Sequence, residues 1–380
     1  MAKSIYLVAG EASADNHGAA LMESLRKLNR DLQFLGRGGP RMKAIAGAQF
    51  LDWIDDAAVV GLWEVIKRYG YFRQKFRETL SEIAQTKPDV VVLIDYPGFN
   101  LRLARALHRQ AARPKIIYYI SPQVWAWNRG RIKQMARWLD LMLCIFPFEA
   151  DLYNQSGLRT IFVGHPMIDN LRARKIDIKR DRHLIGLFPG SRSREVLKNF
   201  PIMLDAVREL FHENQLLRFE VAAASESLVA DIWEMLTDAR MREGLFRVVT
   251  DETAAAMQRA SAGIVASGSA TLEAAYFRLP FVLVYKVSWL TYLAARFVVK
   301  VKYLGMPNVL ANDEVVPEFI QHHAKPRAIA KAVLELMGND SARARMISDF
   351  DTIIGRLGEG GASAKAAEAI VEEIQERVIA

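Results

Sequence analysis

Residues 88–104, PDVVVLIDYPGFNLRLA, join an apolar strand to an amphipathic helix through a short turn. Val90–Ile94 is entirely apolar and rich in β-branched residues, which is typical of a strand buried on both faces. The residues that follow, YPGFN, contain the proline and glycine of a sharp turn. A buried strand that turns directly into a helix predicts a parallel α/β sheet. Asp95 ends this strand, so its carboxyl group should lie at the rim of the sheet.

The same alternation of strand and helix extends in both directions from this stretch. Segments with helical spacing separate further strand-like runs, which are Ile5–Ala9, Gln33–Leu35, Ile116–Ile120, Leu141–Phe146, Leu184–Phe188, Arg218–Ala223, Leu245–Val249, Gly263–Ala266 and Phe281–Tyr285. A polar segment at 169–183 interrupts the pattern and indicates a linker. We predict two doubly wound, Rossmann-like domains with parallel sheets, at 1–168 and 184–340. Helices at 341–380 follow and could pack back on the first domain.

The composition is that of an ordinary globular protein with an excess of positive charge. Hydrophobic residues make up 51% and charged residues 25% of the chain, which excludes a disordered protein. A single cysteine, Cys144, rules out an internal disulfide and fits a reducing, cytoplasmic compartment. The sequence predicts neither a signal peptide nor a membrane-spanning segment. The net charge of +8 favours phosphorylated ligands or an anionic surface as partners.

Carboxylates follow two of the predicted strands and are candidates for a general base. The run after the first strand, AGEASADNHG at 9–18, holds Glu11, Asp15 and His17 among small residues that let a ligand approach the backbone. It does not match the pattern GxGxxG, which argues against a nicotinamide enzyme. A transfer to a hydroxyl group needs one base to remove the proton of that hydroxyl. Asp95 is the first candidate, although it could simply cap the following turn; Glu11, Asp15 and His17 are the alternatives.

Two turns rich in glycine and serine predict an anion site in the second half. PGSRSRE at 189–195 and ASGSATLE at 266–273 each follow a predicted strand and open a helix. Free N–H groups and the helix dipole at such a position favour a phosphate. Either turn alone could be an ordinary helix start, but two at one sheet edge favour a nucleotide diphosphate. The predicted contacts are Gly190, Ser191, Arg192, Ser267, Gly268, Ser269, Ala270, Thr271 and, on a ribose hydroxyl, Glu273.

The sequence gives no reason to expect a metal or another cofactor. The Asp-x-Asp spacing of Asp349 and Asp351 lies in a helical segment with no strand before it. Two other segments, 59–69 and 289–303, mix aromatic, aliphatic and basic residues, which suits a membrane interface or an acyl chain. Packing between domains is the alternative. The predicted lipid contacts are Val59, Leu62, Trp63, Trp289, Phe297 and Val298.

Ten stretches in a fixed order, running from residue 9 to about residue 321, resemble the lipid-A-disaccharide synthase family. They include AGEASADNHGA, PDVVVLIDYPGFNLRLA, YYISPQVWAWNRGRI, FPGSRSREV, ASGSATLEAA and MPNVLAN. The resemblance implies the GT-B arrangement of two Rossmann-like domains, the first binding the acceptor and the second a UDP-sugar. It places Asp95 at the probable catalytic position, and Arg192 and Asn308 around the UDP.

The reaction implied by this resemblance is an inverting transfer of 2,3-diacylglucosamine from UDP. The acceptor is the 6-hydroxyl of 2,3-diacylglucosamine 1-phosphate, and the product is the β-1,6-linked lipid A disaccharide 1-phosphate. The resemblance also implies a cytoplasmic protein associated peripherally with the anionic inner face of the inner membrane, without nucleic acid. A homo-oligomer is left open. Alternatives are a peptidoglycan-precursor N-acetylglucosaminyltransferase, a UDP-sugar epimerase, or a non-enzymatic basic protein that binds membranes or RNA.

Overall fold

The protein folds into two α/β units, each built on one parallel sheet. The structure, a computed structural model, describes residues 3–54, 69–242, 244–287 and 302–379. Unit 1 contains Met1–Ile168 and Leu357–Ala380, and unit 2 contains Asp169–Arg356. In both sheets the strand order reverses next to the first strand of the unit, as in doubly wound folds. The predicted fold class is therefore confirmed.

Within the described ranges, the sheet of unit 1 has the order β3-β2-β1-β4-β5-β6-β7. Its strands are β1 Ser4–Ala9, β2 Gln33–Gly38, β3 Leu51–Asp52, β4 Val90–Ile94, β5 Lys115–Tyr119, β6 Leu141–Cys144 and β7 Thr160–Phe162. The helices between them are α1 Ala12–Leu28, α2 Pro40–Ala46, α3 Tyr69–Thr86, α4 Pro97–His108, α5 Val124–Trp127, α6 Gly130–Trp138 and α7 Pro147–Asn154, and α8 Met167–Ala173 leads into unit 2.

The sheet of unit 2 has the order β10-β9-β8-β11-β12-β13. Its strands are β8 Asp181–Phe188, β9 Arg218–Ala223, β10 Phe246–Thr250, β11 Ala260–Ala266, β12 Phe281–Tyr285 and β13 Glu318–Ile320. The helices are α9 Ser193–Glu213, α10 Glu226–Asp238, α11 Thr253–Arg259, α12 Ala270–Tyr276, α13 Met306–Ala311, α14 Pro326–Gly338 and α15 Asp340–Arg356, with a 3₁₀ turn at Gln321–His323. The last helix, α16 Ala362–Ile379, belongs to unit 1.

The continuous apolar strands of unit 1 are buried because helices cover both faces of the sheet. Ile5 and Leu7 of β1 join one core with residues of α1, α2 and α16. Tyr6 and Val8, which point the other way, join a second core with residues of α3, α4 and α6. Each large apolar side chain fully buried here contributes about 1.5–3 kcal/mol to folding. The two cores hold the carboxyl ends of β1 and β4 in place.

The structure differs from the sequence prediction in the short strands and in the C-terminal helices. The sequence pattern missed β3, β7 and β13, which have two or three residues each and lie at sheet edges, where one side of the strand is unpaired. Residues 341–380 are divided between the units, since α15 packs on α12 and α13 whereas α16 packs on α1. The segment at 169–183 contains the end of α8 and the start of β8.

Candidate active site

The first and fourth strands of unit 1 bring two carboxyl groups to one point of the sheet rim. β1 and β4 are parallel neighbours, and Ala9 pairs with Ile94 at their carboxyl ends. Glu11 and Asp95, which follow these two residues closely, therefore lie side by side. The sheet order reverses between β1 and β4, and this is where doubly wound folds bind ligands.

The backbone at Asp95 is held in a conformation that few residues adopt. Asp95 and Tyr96 have φ angles of 45° and 50°, in the left-handed region. The Asp95 carbonyl accepts hydrogen bonds from the Tyr118 hydroxyl at 2.6 Å and the Asn100 amide at 2.7 Å. Gly10 is required opposite, because a Cβ atom there would lie 2.2 Å from the Tyr96 ring. The fold thus fixes the position of the Asp95 carboxyl group.

The surroundings of Asp95 make its carboxylate unusually basic. The pKa of Asp95 is raised to about 6, chiefly by burial and to a lesser extent by the negative charge of Glu11 and a hydrogen bond with its carboxyl group. A carboxylate with this pKa is ionised at neutral pH and is still a much stronger base than an exposed aspartate. This combination is the one expected of a general base.

Asp15 has a structural task instead. Its side chain is 3% exposed, and its two carboxylate oxygens accept hydrogen bonds from the backbone N–H groups of Gly39, Arg41 and Met42 at 2.9–3.0 Å. It therefore anchors the start of α2, where unpaired N–H groups need an acceptor. Three of the roughly four lone pairs of the Asp15 carboxylate are thus occupied, which favours this structural role over the expected role as a competing base.

His17, the remaining alternative base, lies on α1 and is half-buried. Burial lowers its pKa, so the imidazole is neutral at neutral pH. Burial lowers the pKa of His165 to about 4, with a further contribution from His17. The Nδ1 atom of His165 accepts a hydrogen bond from the backbone N–H of Met167 at 3.2 Å.

The equivalent point of unit 2 is a cavity rather than a carboxylate pair. β8 and β11 are parallel neighbours at the reversal of strand order, and the two glycine-rich turns follow them directly. A cavity of about 740 Å³ lies at this rim. The predicted residues that line it are Gly190, Ser191, Arg192, Ser267, Gly268, Ser269, Ala270 and Glu273. The structure thus brings both predicted turns to one site within unit 2.

The conformation of the two turns depends on their glycines. Gly190 and Gly268 have φ angles of 124° and 147°, which other residues rarely adopt. Glu195 braces the first turn, since its carboxylate accepts a hydrogen bond from the backbone N–H of Ser191 at 3.3 Å and lies 3.0 Å from the Arg192 guanidinium. The Arg192 side chain is nevertheless 67% exposed and can reach a ligand.

Two residues predicted to bind UDP use their side-chain hydrogen bonds within the protein itself. Thr271 is fully buried and its hydroxyl donates to the Gly268 carbonyl at 2.8 Å, so it shapes the turn from below. Asn308 is fully buried and does not line the cavity. Its amide donates to Val316 and Glu318 and accepts from the N–H groups of Val315 and Val316, at 2.8–2.9 Å. These bonds use the whole hydrogen-bonding capacity of the Asn308 oxygen and amide, which favours a structural role, and the direct UDP contact stays a prediction.

The sequence did not predict several other parts of the cavity wall, among them Arg174, the turn after β10 and the end of β9 with the residue that follows it, at 222–224. Arg174 lies on this wall, and the charge of Arg174 opposes the rise in the pKa of Glu273 that burial causes. The turn after β10, residues 251–255, also lines the cavity. The sequence does show that this turn follows a strand. It does not show that the strand lies near β8 in the sheet, so the turn could not be assigned to the cavity.

The other predicted contacts cannot be placed at either rim. Val59, Leu62, Trp63, Trp289, Phe297 and Val298 lie outside the residues that the structure describes. Asp351 lies on α15 and pairs with Arg278 at 2.6 Å. In the described ranges, no group of three or more His, Cys, Asp and Glu side chains could hold a metal ion. Nor is any helix there long and apolar enough to cross a membrane.

Comparison with solved structures identifies the fold. A UDP-GlcNAc 2-epimerase from Neisseria meningitidis, solved with UDP-GlcNAc, superposes with a TM-score of 0.65 over 97% of this chain and 100% of the epimerase chain, at 13% identity. MurG from Acinetobacter baumannii superposes with a TM-score of 0.56 over 97% of this chain and 99% of its own, at 14% identity. Such low identities establish the shared GT-B fold and nothing more.

Sequence comparison is far more specific. The chain is 37% identical to the lipid-A-disaccharide synthase of Geobacter sulfurreducens, over 98% of each protein. The model of the family described as lipid-A-disaccharide synthetase matches residues 5–373. This range includes both glycine-rich turns, the carboxylate pair and most of the C-terminal helix that completes unit 1. The chain therefore belongs to the lipid-A-disaccharide synthetase family.

Proposed function

We propose that this protein is an inverting glycosyltransferase of lipid A biosynthesis. It transfers 2,3-diacylglucosamine from UDP to the 6-hydroxyl of 2,3-diacylglucosamine 1-phosphate, giving the β-1,6-linked disaccharide 1-phosphate and UDP. The observation that carries this proposal is the family match over residues 5–373. The carboxylate pair of unit 1 and the cavity of unit 2 supply the two kinds of chemistry that the reaction needs.

Unit 2 is proposed to bind the UDP part of the donor. The turns at Gly190–Arg192 and Ser267–Ala270 would direct backbone N–H groups and hydroxyls at the diphosphate. The guanidinium groups of Arg192 and Arg174 would stabilise the negative charge that grows on UDP as it leaves. Glu273 would accept a hydrogen bond from a ribose hydroxyl. The support for this assignment is that these groups line one cavity of nucleotide size.

Unit 1 is proposed to bind the acceptor and to provide the base. The Asp95 carboxylate removes the proton of the 6-hydroxyl while that oxygen attacks the anomeric carbon. The bond from this carbon to the diphosphate oxygen breaks on the opposite face, so that UDP leaves and an α-linked donor gives a β-linked product. Glu11 acts by keeping Asp95 basic, and the pKa of Asp95 near 6 supports this division of roles.

Acylated substrates of this kind reside in a membrane. We therefore place the protein at the cytoplasmic face of the inner membrane as a peripheral protein. The net charge of +8 supports attraction to an anionic surface.

The test is to incubate the purified protein with the acylated donor and acceptor and to measure UDP release and disaccharide formation. We expect both products, and UDP release that depends on the acceptor. A sugar nucleotide that changes without an acceptor would indicate an epimerase. Release of UDP from non-acylated UDP-GlcNAc, with none from the acylated pair, would reject the proposal in favour of another GT-B transferase.

A further inference from the structure

One stretch of unit 1 carries many cations and no anions. Between residues 96 and 139 the sequence has nine lysines and arginines but no aspartate or glutamate, whereas the whole chain has 51 basic and 43 acidic residues. The stretch alone therefore accounts for the net charge of +8. A concentration of one sign of charge on a short segment creates a strong local field.

The fold gathers these cations on one surface. Helices α4 and α6 contact each other and pack their apolar sides, including Leu103 and Met135, into the same core. Their outer sides carry the basic residues at helical spacing. We call this surface the α4–α6 basic face and define it by Arg102, Arg105, Arg109, Arg129, Arg131, Lys133 and Arg137, all of which are exposed except the half-buried Arg131.

The cations of the α4–α6 basic face have no acidic partners within the described ranges. The other two bases of the stretch do have partners, since Arg113 pairs with Asp140 at 2.5 Å and Lys115 pairs with Glu373 at 2.7 Å. On the adjacent helix α3, Glu78 is engaged by Lys75 at 2.9 Å. Among the residues that the structure describes, none therefore neutralises the charge of this face.

Two tryptophans accompany these cations. Trp127 is 37% exposed, and the guanidinium of Arg131 lies 5.0 Å from its ring centre. The guanidinium of Arg105 lies 5.9 Å from the ring of Trp138. Pairs of an aromatic ring and a cation are favourable in themselves. They also suit the headgroup level of a bilayer, where tryptophan rings concentrate.

We propose that the α4–α6 basic face docks on an anionic lipid bilayer. This inference rests on the proposed function, because acylated substrates must be taken from a membrane. The face also begins at the proposed catalytic rim, since α4 starts at Pro97, two residues after Asp95. A bilayer bound there lies beside the carboxylate that receives the acceptor. The phosphate headgroups supply the anions. Each basic side chain near the anionic surface contributes a favourable electrostatic energy to binding.

The opposite face of unit 1 provides a matched control. Helices α1 and α16 together carry six acidic and four basic residues. Lys27, Arg30 and Lys365 are exposed there or next to it. Replacing three bases on either side lowers the net charge equally, so a comparison of the two triple variants separates position from total charge.

The experiment measures co-sedimentation of the full-length protein with vesicles of phosphatidylethanolamine and phosphatidylglycerol. The docking variant is Arg102→Gln, Lys133→Gln, Arg137→Gln, and the control variant is Lys27→Gln, Arg30→Gln, Lys365→Gln. We expect the docking variant to bind 10- to 100-fold more weakly than wild type, on the order of what three lost bases imply. The control variant should bind like wild type. Thermal melting checks that both triple variants are folded. If the docking variant is not folded, the single variant Lys133→Gln replaces it, with a smaller expected loss of vesicle binding.

Equal binding by the two triple variants would overturn the docking surface. The docking surface would also be overturned if the docking variant kept its vesicle binding but lost its retention on single-stranded RNA. The α4–α6 basic face would then bind a nucleic acid. Wild-type binding to phosphatidylcholine vesicles as tight as to anionic ones would also contradict the inference. If the three proteins differ in vesicle binding as expected but the wild type makes no disaccharide, the proposed function is rejected and the docking surface is retained.

Discussion

The two units place opposite chemistry at the same point of the same fold. In unit 1 the strands that flank the reversal of sheet order, β1 and β4, end at Glu11 and Asp95. In unit 2 the corresponding strands, β8 and β11, end at glycine-rich turns that line a cavity together with Arg174. One rim carries a pair of carboxyl groups and is proposed to supply the base, and the other offers glycine-rich turns that are proposed to bind a diphosphate. The topology thus provides the location, while a few side chains decide what binds there.

The two rims also differ in how they are stabilised. Unit 1 holds a carboxylate in a partly buried, left-handed backbone position, which costs folding free energy. Unit 2 uses backbone N–H groups and glycines, which cost little, and the buried Thr271 braces one turn through the Gly268 carbonyl. Asn308, buried outside the cavity wall, holds the backbone of Val315 and Val316. Substitutions at the first rim should therefore affect turnover, and substitutions behind the second should affect stability.

The largest effect should come from Asp95→Asn, which removes the proposed base without changing its size. We expect kcat to fall about 10³-fold, within the range of general base catalysis, while the affinity for UDP stays unchanged. Steady-state UDP release and titration calorimetry with UDP measure the two quantities. Glu11→Gln should lose less, since Glu11 only tunes Asp95. A near-wild-type rate for Asp95→Asn would move the base to Glu11 or His17.

The second effect concerns stability in unit 2. Asn308→Ala removes the side-chain amide that hydrogen-bonds two backbone N–H groups and the Glu318 carboxylate. The free energy of unfolding should fall by about 3 kcal/mol. Urea unfolding monitored by circular dichroism should show the lower midpoint. The KM for the donor should change little in the protein that remains folded. A stable variant with a strongly raised donor KM would restore Asn308 as a UDP contact.

A third prediction separates stability from activity at Asp95. The folded-state pKa near 6 lies above the ordinary value of 3.8, so the fold disfavours the ionised form. Asp95→Asn, which mimics the protonated acid, should therefore be more stable than wild type at pH 8, by about 1–2 kcal/mol after discounting for partial exposure. The difference should shrink as the pH falls through 6 and vanish near pH 4. Thermal melts across this pH range measure it, and a constant difference would contradict the raised pKa.

The smallest effect is expected at the exposed rim of unit 2. Arg192→Ala should raise the Kd for UDP about tenfold, which corresponds to about 1.4 kcal/mol. Arg194→Ala, two residues away at the start of α9 and outside the cavity wall, is the matched control and should bind UDP normally. Calorimetry with UDP measures both variants. Equal losses would mean that general charge, not the position of Arg192, governs binding.

Local features of the sequence predicted most of the fold and part of the site. Val90–Ile94 is fully apolar, so the strand, its burial and the rim position of Asp95 all followed from neighbouring residues. Arg174 could not be found in this way, because it reaches the cavity from the turn that follows α8, outside the sheet. The structural role of Asp15 could not be found for the same reason. Its partners, the N–H groups at 39–42, are close only after β1 and β2 pair.

The position of α16 has a consequence for biosynthesis. This helix covers α1 with Ala366, Ile370 and other side chains of the same core, although the whole of unit 2 separates the two helices in the sequence. A ribosome releases α1 before unit 2 and α16 after it, so the unit that is started first is finished only after unit 2. Unit 2, which is continuous, has all its elements before then. Nascent chains that stop short of residue 362 leave an apolar side of α1 bare, which makes them natural clients for chaperones.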